Sequence, residues 1–217
     1  MPGFISRHRR SLATVGAKAG RLFDDSLLHT EWAFLDIGCG IGGNLLVLAR
    51  NSIRRAFGLD LVPALVTAAA AEQGLKNLVV ANAASIPFKN QSLDVCLLYN
   101  VIEHCERPRP VLAEIHRVLR PGGLLYMDAP NGRSVGDRIF RWGGKLVYGR
   151  TSHVQSFTRR SIAALLADAG FVVSASRVLR GIYVGYPQLE RFPWVKRILT
   201  CLFDSEVAGW EYRLTRR

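Results

Sequence analysis

Apolar runs rich in branched residues alternate along the chain with stretches whose apolar positions recur every three or four residues. The runs predict strands over 32–37, 54–59, 77–81, 92–99, 124–128 and 171–178, and the periodic stretches predict helices over 42–50, 62–73, 110–119 and 159–169. Pro63 and Pro110 stand early in two of those helices, while Gly74, Gly122 and Gly170 stand just past helix ends, where their backbone preferences belong. Strands and helices alternating in this way predict an α/β fold, a doubly wound and mostly parallel sheet with helices on both faces. Segment 207–215 is expected to close that sheet as an edge strand.

Two stretches interrupt the alternation, and both follow strands, where α/β proteins place their binding loops. Residues 131–157 are long, glycine-rich and basic (Arg133, Arg138, Arg141, Lys145, Arg150) and read as a substrate-side insertion. Residues 182–206 read as a second one; within it Leu189, Phe192, Val195, Leu199 and Leu202 fall on one face of a helix over 186–203. That face suits a lid, a dimer contact or, with Arg191, Lys196 and Arg197 meeting head groups, a peripheral membrane contact. Residues 1–30 are expected to form a helical, basic N-terminal segment carrying Arg7, Arg9 and Arg10. Neither repeats nor low-complexity tracts suggest a second domain, so 1–217 is expected to be one.

Composition narrows the class. A chain of 217 residues can bury a full core without crosslinks or structural metals. Its 29 Lys+Arg against 17 Asp+Glu leave a net charge of +12, and the basic residues are mostly Arg, scattered from Arg7 to Arg217. That balance favours an anionic partner without naming one. No apolar run reaches the roughly 18 residues of a membrane span, and Lys18, Arg21, Asp24 and Asp25 interrupt the region where a signal peptide would be apolar. The expectation is a soluble, cytoplasmic protein. Cys39, Cys96, Cys105 and Cys201 show no C-x-x-C spacing and the histidines no paired spacing, so reduced thiols and no metal are expected.

Candidate chemistry centres on residues 35–43, LDIGCGIGG, where an apolar strand enters a glycine turn that opens a helix. Glycine permits positive φ and close approach of a ligand, and a helix N-terminus presents N–H groups to an anion. Gly38, Gly40 and Gly43 satisfy G-x-G-x-x-G, and Asp60 ends the next strand about twenty residues on, where a carboxylate can hold both ribose hydroxyls. By spacing alone this suits a dinucleotide as well as another nucleotide-like ligand. Asp36 and Asp60 both end buried strands, a costly position for a carboxylate that nothing uses. Cys39 reads as a small residue that fits the turn, with a reactive thiol at a helix N-terminus as the alternative.

With Asp36 placed before the first glycine and the later segments in order, the chain resembles the class I S-adenosylmethionine-dependent methyltransferases, in particular their small-molecule, type 11-like branch. Residues 35–43 resemble the family's first motif and 58–60 (GLD) its second strand with the ribose-binding acid. Residues 82–88 (NAASIPF) resemble the adenine-side loop, and 94–104 (DVCLLYNVIEH) the fourth strand and following turn. Residues 114–123 (EIHRVLRPGG) match the helix and turn before the fifth strand, and 157–171 the next helix with its Ala-Gly-Phe end.

The resemblance implies a seven-stranded Rossmann-like sheet with S-adenosyl-L-methionine across the carboxyl ends of its first strands. It also implies cofactor contacts from Asp36, Gly38, Cys39, Gly40, Asp60, Leu61, Asn82, Ala83, Ala84, Asn100 and Val101. Within that set, backbone N–H groups around Gly38 and Gly40 would take the methionine carboxylate, Asp36 and the Asn100 backbone its ammonium, and Asp60 the ribose. Asn82 would accept from the adenine amino group where many relatives carry an acid, without charge assistance. Ala83 and Ile86 would touch the ring.

Methyl transfer from a sulfonium is an in-line displacement, so the enzyme aligns donor and acceptor, excludes water and removes one proton. His104 and His153 are the candidate bases, since imidazole titrates near neutrality. His104 could equally pack or cap the turn before Pro108. Tyr99 and Tyr183 are further pocket candidates, each more commonly core, while Asp94 reads as a structural hydrogen-bonding group and Glu114 as a helix-surface charge. Residues 99–102 (YNVI) lack the [DN]-P-P-[YFW] pattern of base-nitrogen methylation, and no Pro-Cys pair marks thiolate addition to a pyrimidine. These features disfavour nucleic acid and favour a small-molecule substrate, anionic or lipid-like, methylated at oxygen or carbon. The Pro130-Asn131 turn and the His-x-x-x-Phe-Thr segment from His153 are similar to enzymes acting on quinone precursors, other lipids, sugars and secondary metabolites, with Asn131 facing such an acceptor.

Overall fold

A computed structural model describes residues 29–134, 138, 153–180 and 207–217. In order these form β1 (Phe34–Ile37), α1 (Gly43–Arg50), β2 (Ala56–Asp60), α2 (Pro63–Gln73), β3 (Leu78–Val80), β4 (Leu93–Leu98) and a 3-10 turn at Ile102–His104. There follow α3 (Pro108–Val118), β5 (Leu119–Pro130), α4 (Arg159–Asp168), β6 (Phe171–Arg180) and β7 (Val207–Arg216). The basic N-terminal segment, most of the 131–157 insertion, and the 182–206 stretch with its apolar face, Tyr183 and Cys201 lie outside the described residues.

The strands make one seven-stranded sheet in the order β3-β2-β1-β4-β5-β7-β6. Neighbours from β3 through β5 run parallel, whereas β7 is antiparallel to both β5 and β6. The chain reverses direction across the sheet between β1 and β4, so a crevice opens at the carboxyl ends of these strands, the place where open α/β sheets bind ligands. The physical basis is legible in burial. All six residues of β4 are buried, as a parallel strand covered on both faces requires. Leu35, Ile37, Cys96 and Leu98 enter one core, and Phe34, Val95, Leu97 and Tyr99 enter the other.

The helices lie where the periodicity placed them, with one shift. α3 begins at Pro108, two residues before the expected start, because Pro108 and Pro110 both fall in a first turn that has no use for their missing N–H groups. Its Val111, Leu112, Ile115 and Val118 form the buried face. α4 is opened by a capping box in which Ser161 N donates to Thr158 Oγ1 at 3.1 Å, and Thr158 N donates to Ser161 Oγ at 2.9 Å.

The last segment corrects the expectation of an edge strand. β7 lies inside the sheet, between β5 and β6, and the edges are β3 and β6. Trp210, Tyr212 and Leu214 are buried at alternate positions, and Gly209 passes so close to β5 that a Cβ there would stand 2.6 Å from the Ala129 carbonyl oxygen. Alternation combined with a glycine at a close crossing is an interior signature.

Candidate functional site

β1 ends at Ile37 and the chain turns through Gly38, Gly40 and Gly42 with φ of 72°, 55° and 86°. These left-handed values favour glycine. At Gly38 space reinforces conformation, since a Cβ would stand 2.4 Å from Val101 Cγ2, so this turn and the one after β4 touch. Gly38 N and Cys39 N both donate to the Leu59 carbonyl, at 2.7 and 3.0 Å, and Gly40 N donates to Asp60 Oδ2 at 2.8 Å. The N–H groups of Gly38 and Gly40 are thus turned toward β2. This differs from the expectation that they receive a carboxylate, because they tie the ends of two parallel strands together. Cys39 faces the core, 5% exposed, and burial first, then the charges of Asp36 and Asp60, push its thiol far above its usual range. That selects the inert reading over the reactive one.

The two strand-end carboxylates have opposite surroundings. Asp36 is 1% exposed; its Oδ1 accepts a 3.0 Å hydrogen bond from Asn44 Nδ2, and its Oδ2 has no partner among the described residues. Burial pushes the Asp36 carboxyl up to about 7, with Asn44 opposing the rise and the Asp60 charge adding to it. A buried acid in that condition gains most from a cation at its bare oxygen. Asp60 accepts from Gly40 N through Oδ2 and from Val62 N through Oδ1, at 2.8 and 2.9 Å. Each of its oxygens retains a lone pair for a hydroxyl. Beside it Leu61 stands 64% exposed, a large apolar side chain at the mouth of a polar cleft.

Around them the remaining site residues take distinct places. Asn82 is exposed and its Oδ1 already accepts from Ala84 N at 2.9 Å, so it shapes its own turn. Ala83 is half-buried and Ala84 exposed, whereas Ile86 is buried in the core, which corrects the expectation that its side chain meets a ligand ring. Asn100 has a positive φ of 56°, and its N–H donates to Asp128 Oδ1 at 2.7 Å. Asp94 is structural, accepting from Ala33 N at 2.7 Å and pairing with Arg120 at 2.7 Å. Tyr99 is buried in the core.

Three contributors escaped the sequence reading. Asn44 orients Asp36 from the first turn of α1. Asp128, two residues before the end of β5, is a buried carboxylate of the kind that marks Asp36 and Asp60, and it fixes the turn after β4. Glu114 is more than a surface charge: it accepts from Ile86 N at 2.8 Å, while Arg117 donates to the Ile86 and Phe88 carbonyls at 2.8 Å each, so α3 holds the 82–88 loop. The Glu114–Arg117 ion pair at spacing i,i+3 was the available signal, and Arg117 holds the Glu114 carboxyl below its usual value.

The two candidate bases, 49 positions apart in sequence, come together. His104 ends the 3-10 turn, exposed; His153 is buried, and their ring centroids lie 5.1 Å apart, edge to face. The Glu103 carbonyl holds the second strand of chain in place, accepting from Val154 N and Gln155 N at 2.9 and 3.0 Å. Asn131 lies at the same place, bridging to Phe157.

Residues 35–127, which carry the glycine turn, both strand-end acids and α3, match the methyltransferase domain family. Over these residues the chain is similar to the class I S-adenosylmethionine-dependent methyltransferases. A probable S-adenosylmethionine-dependent methyltransferase of Mycolicibacterium smegmatis is 32% identical over 139 residues, covering 64% of this chain and 51% of that protein. A malonyl-[acyl-carrier protein] O-methyltransferase of Serratia marcescens is 30% identical over 108 residues, covering 50% of this chain and 42% of that one. The chain thus spans about half the length, or less, of these curated relatives. Among solved structures, a complex of the Haloferax volcanii Trm112 methyltransferase activator and a putative methyltransferase aligns at a TM-score of 0.77 and 20% identity, covering 97% of this chain and 93% of that one. That likeness concerns the fold. The cofactor of this methyltransferase family is S-adenosyl-L-methionine, and the cleft fits it: the bare oxygen of Asp36 suits the ammonium, and the carboxylate of Asp60 suits the ribose. Among the described residues no helix is long and apolar enough to cross a membrane.

Proposed function

We propose that this protein transfers a methyl group from S-adenosyl-L-methionine to a small organic acceptor, at oxygen or carbon. The observation that carries the reading is Asp36: a buried carboxyl at the switch point of the sheet, with one oxygen lacking a partner and its acidity suppressed by burial. A nicotinamide dinucleotide offers no ammonium to that oxygen, whereas the methionine end of the methyl donor does. Asp60 takes the ribose hydroxyls in this reading, and Leu61 covers the adenine. Burying its side chain contributes about 1–2 kcal/mol. Asn82, Ala83 and Ala84 border the adenine, and the Asn100–Val101 turn, packed on Gly38, borders the methionine end. The acceptor enters beside His104 and His153, where its proton is removed. Support for a small, oxygen-bearing acceptor comes from the malonyl-[acyl-carrier protein] O-methyltransferase relative and from the absence of a base-methylation motif in residues 99–102.

Calorimetric titration with S-adenosyl-L-methionine, its demethylated product and NAD tests the reading. Binding of the first two with no heat from NAD is expected. NAD binding with neither of the others would reverse it.

A further inference from the structure

The corner where His104 meets His153 holds a third group. Glu103, His104 and His153 each present a ligand-type atom, and these atoms all lie within 4.8 Å of one another. We propose that these three residues hold a divalent first-row transition-metal cation, with open positions for a hydroxyl-bearing acceptor. The donor set is a carboxylate oxygen and two imidazole nitrogens, which suits Zn²⁺ and its neighbours and is the three-ligand arrangement of catalytic rather than structural sites. Three atoms no farther apart than 4.8 Å can share a centre at about 2.8 Å or less, and closing to the ~2.1 Å of a zinc–imidazole bond needs a shift below about 1 Å.

Burial and backbone geometry both favour a site here over a chance cluster. Glu103 and His153 are 3% and 5% exposed, an expensive place for a carboxylate unless a positive charge accompanies it. His104 is exposed, which leaves a route for the cation. Glu103 and His104 are fixed on one short turn, and the Glu103 carbonyl, by accepting from Val154 N and Gln155 N, fixes the backbone that carries His153. Gln155 Nε2 adds a 3.0 Å hydrogen bond to the Glu106 carbonyl on the same side. No short-range spacing announces this corner, because the two histidines are far apart along the chain. The expectation of no metal rests on spacing alone, and the proposed site departs from it.

Position gives the cation a use. Val101, two residues before Glu103, packs on Gly38 of the cofactor turn, so the corner adjoins the methyl donor. This step rests on the methyl-transfer reading. A hydroxyl bound to the cation gives up its proton to solvent more readily. Its oxygen then forms a bond to the methyl carbon as the carbon–sulfur bond breaks, with the electron pair passing to sulfur. One proton is released for each methyl group transferred. A ligating imidazole nitrogen cannot also take that proton, so the corner works through the cation and not through a histidine base.

The test uses the full chain, stripped with a chelator, dialysed and titrated with Zn²⁺ by calorimetry and with Co²⁺ by visible absorption. Wild type is expected to bind one Zn²⁺ per chain with a dissociation constant at or below the micromolar range, and to give Co²⁺ d–d bands. H104Q, at an exposed position, and H153Q are each expected to weaken Zn²⁺ at least 30-fold, and E103Q to do the same. Circular dichroism melts check folding, and H104Q carries the test if the buried variants fail to fold. Wild type without binding, or binding unchanged in H104Q, would overturn the site. The methyl donor is titrated in parallel: metal binding without donor binding would remove the methyl-transfer reading and leave the site standing, and donor binding without metal would do the reverse.

Discussion

The glycine turn and the histidine corner stand at neighbouring strand ends, yet they are built in different ways. The turn draws its two acids from the ends of consecutive strands, 24 positions apart, ties those strands through Gly38 N and Cys39 N donating to the Leu59 carbonyl, and holds Asp60 through Gly40 N. The corner draws its groups from a short 3-10 turn and a distant stretch that reaches it only after β5. In the proposed reading the two acids that hold the cofactor therefore come from β1 and β2 alone. Acceptor chemistry depends on tertiary placement.

Several substitutions would break or sharpen that contrast. Asp60→Ala has the largest expected effect, because it removes charge-assisted bonds to the ribose and strands the Gly40 and Val62 N–H groups; cofactor affinity should fall about a hundredfold or more by calorimetry. Gly38→Ala comes next. A left-handed φ and a methyl group 2.4 Å from Val101 Cγ2 should cost about 2–4 kcal/mol of stability in denaturant unfolding, and donor binding should weaken with it.

Asp36→Asn separates charge from shape. At pH 8 cofactor affinity should fall about ten- to a hundredfold, while the cofactor-free protein should melt several degrees higher. The sign follows from linkage. The carboxyl titrates near 3.8 when unfolded and near 7 when folded, so between those values the folded state holds the extra proton. Stability of the cofactor-free wild type therefore falls as pH rises through that window and is flat above it. Asp36→Asn should lose that slope, which pH-dependent melting measures directly.

Glu114→Gln should have the smallest effect of the series. It weakens the hold of α3 on the 82–88 loop without touching the donor, so affinity should drop only about three- to tenfold, mainly through faster dissociation in stopped-flow. An effect as large as that of Asp60→Ala would mean that the loop, and not the turn, dominates recognition.

What could be read from sequence follows the same division. Asp36 and Asp60 were visible because a carboxylate at the end of an apolar run is anomalous on its own, and the glycines between them fix the turn. Asp128 carries a similar anomaly but lacks a glycine motif beside it. Asn44 acts through a partner on another element and nothing in its local window marks it, whereas Glu114 is marked locally only by its i,i+3 pairing with Arg117. His104 and His153 were each legible as titratable groups near strand ends, but their meeting depends on the Asn131–Phe157 bridge and on the hydrogen bonds to Glu103. β7 misled because its direction and neighbours follow from sheet assembly, although the Trp210, Tyr212 and Leu214 alternation shows that it is a strand with a buried face.

The central claim is that Asp36 awaits the ammonium of the methyl donor, and proton release on binding tests it most directly. Titration of the wild type with S-adenosyl-L-methionine in buffers of different ionisation enthalpy should show nearly one proton released per cofactor at pH 5.5, decreasing as pH rises through about 7. The same experiment on Asp36→Asn should show none. Tight binding with no proton released at pH 5.5, or equal release from the variant, would contradict the account.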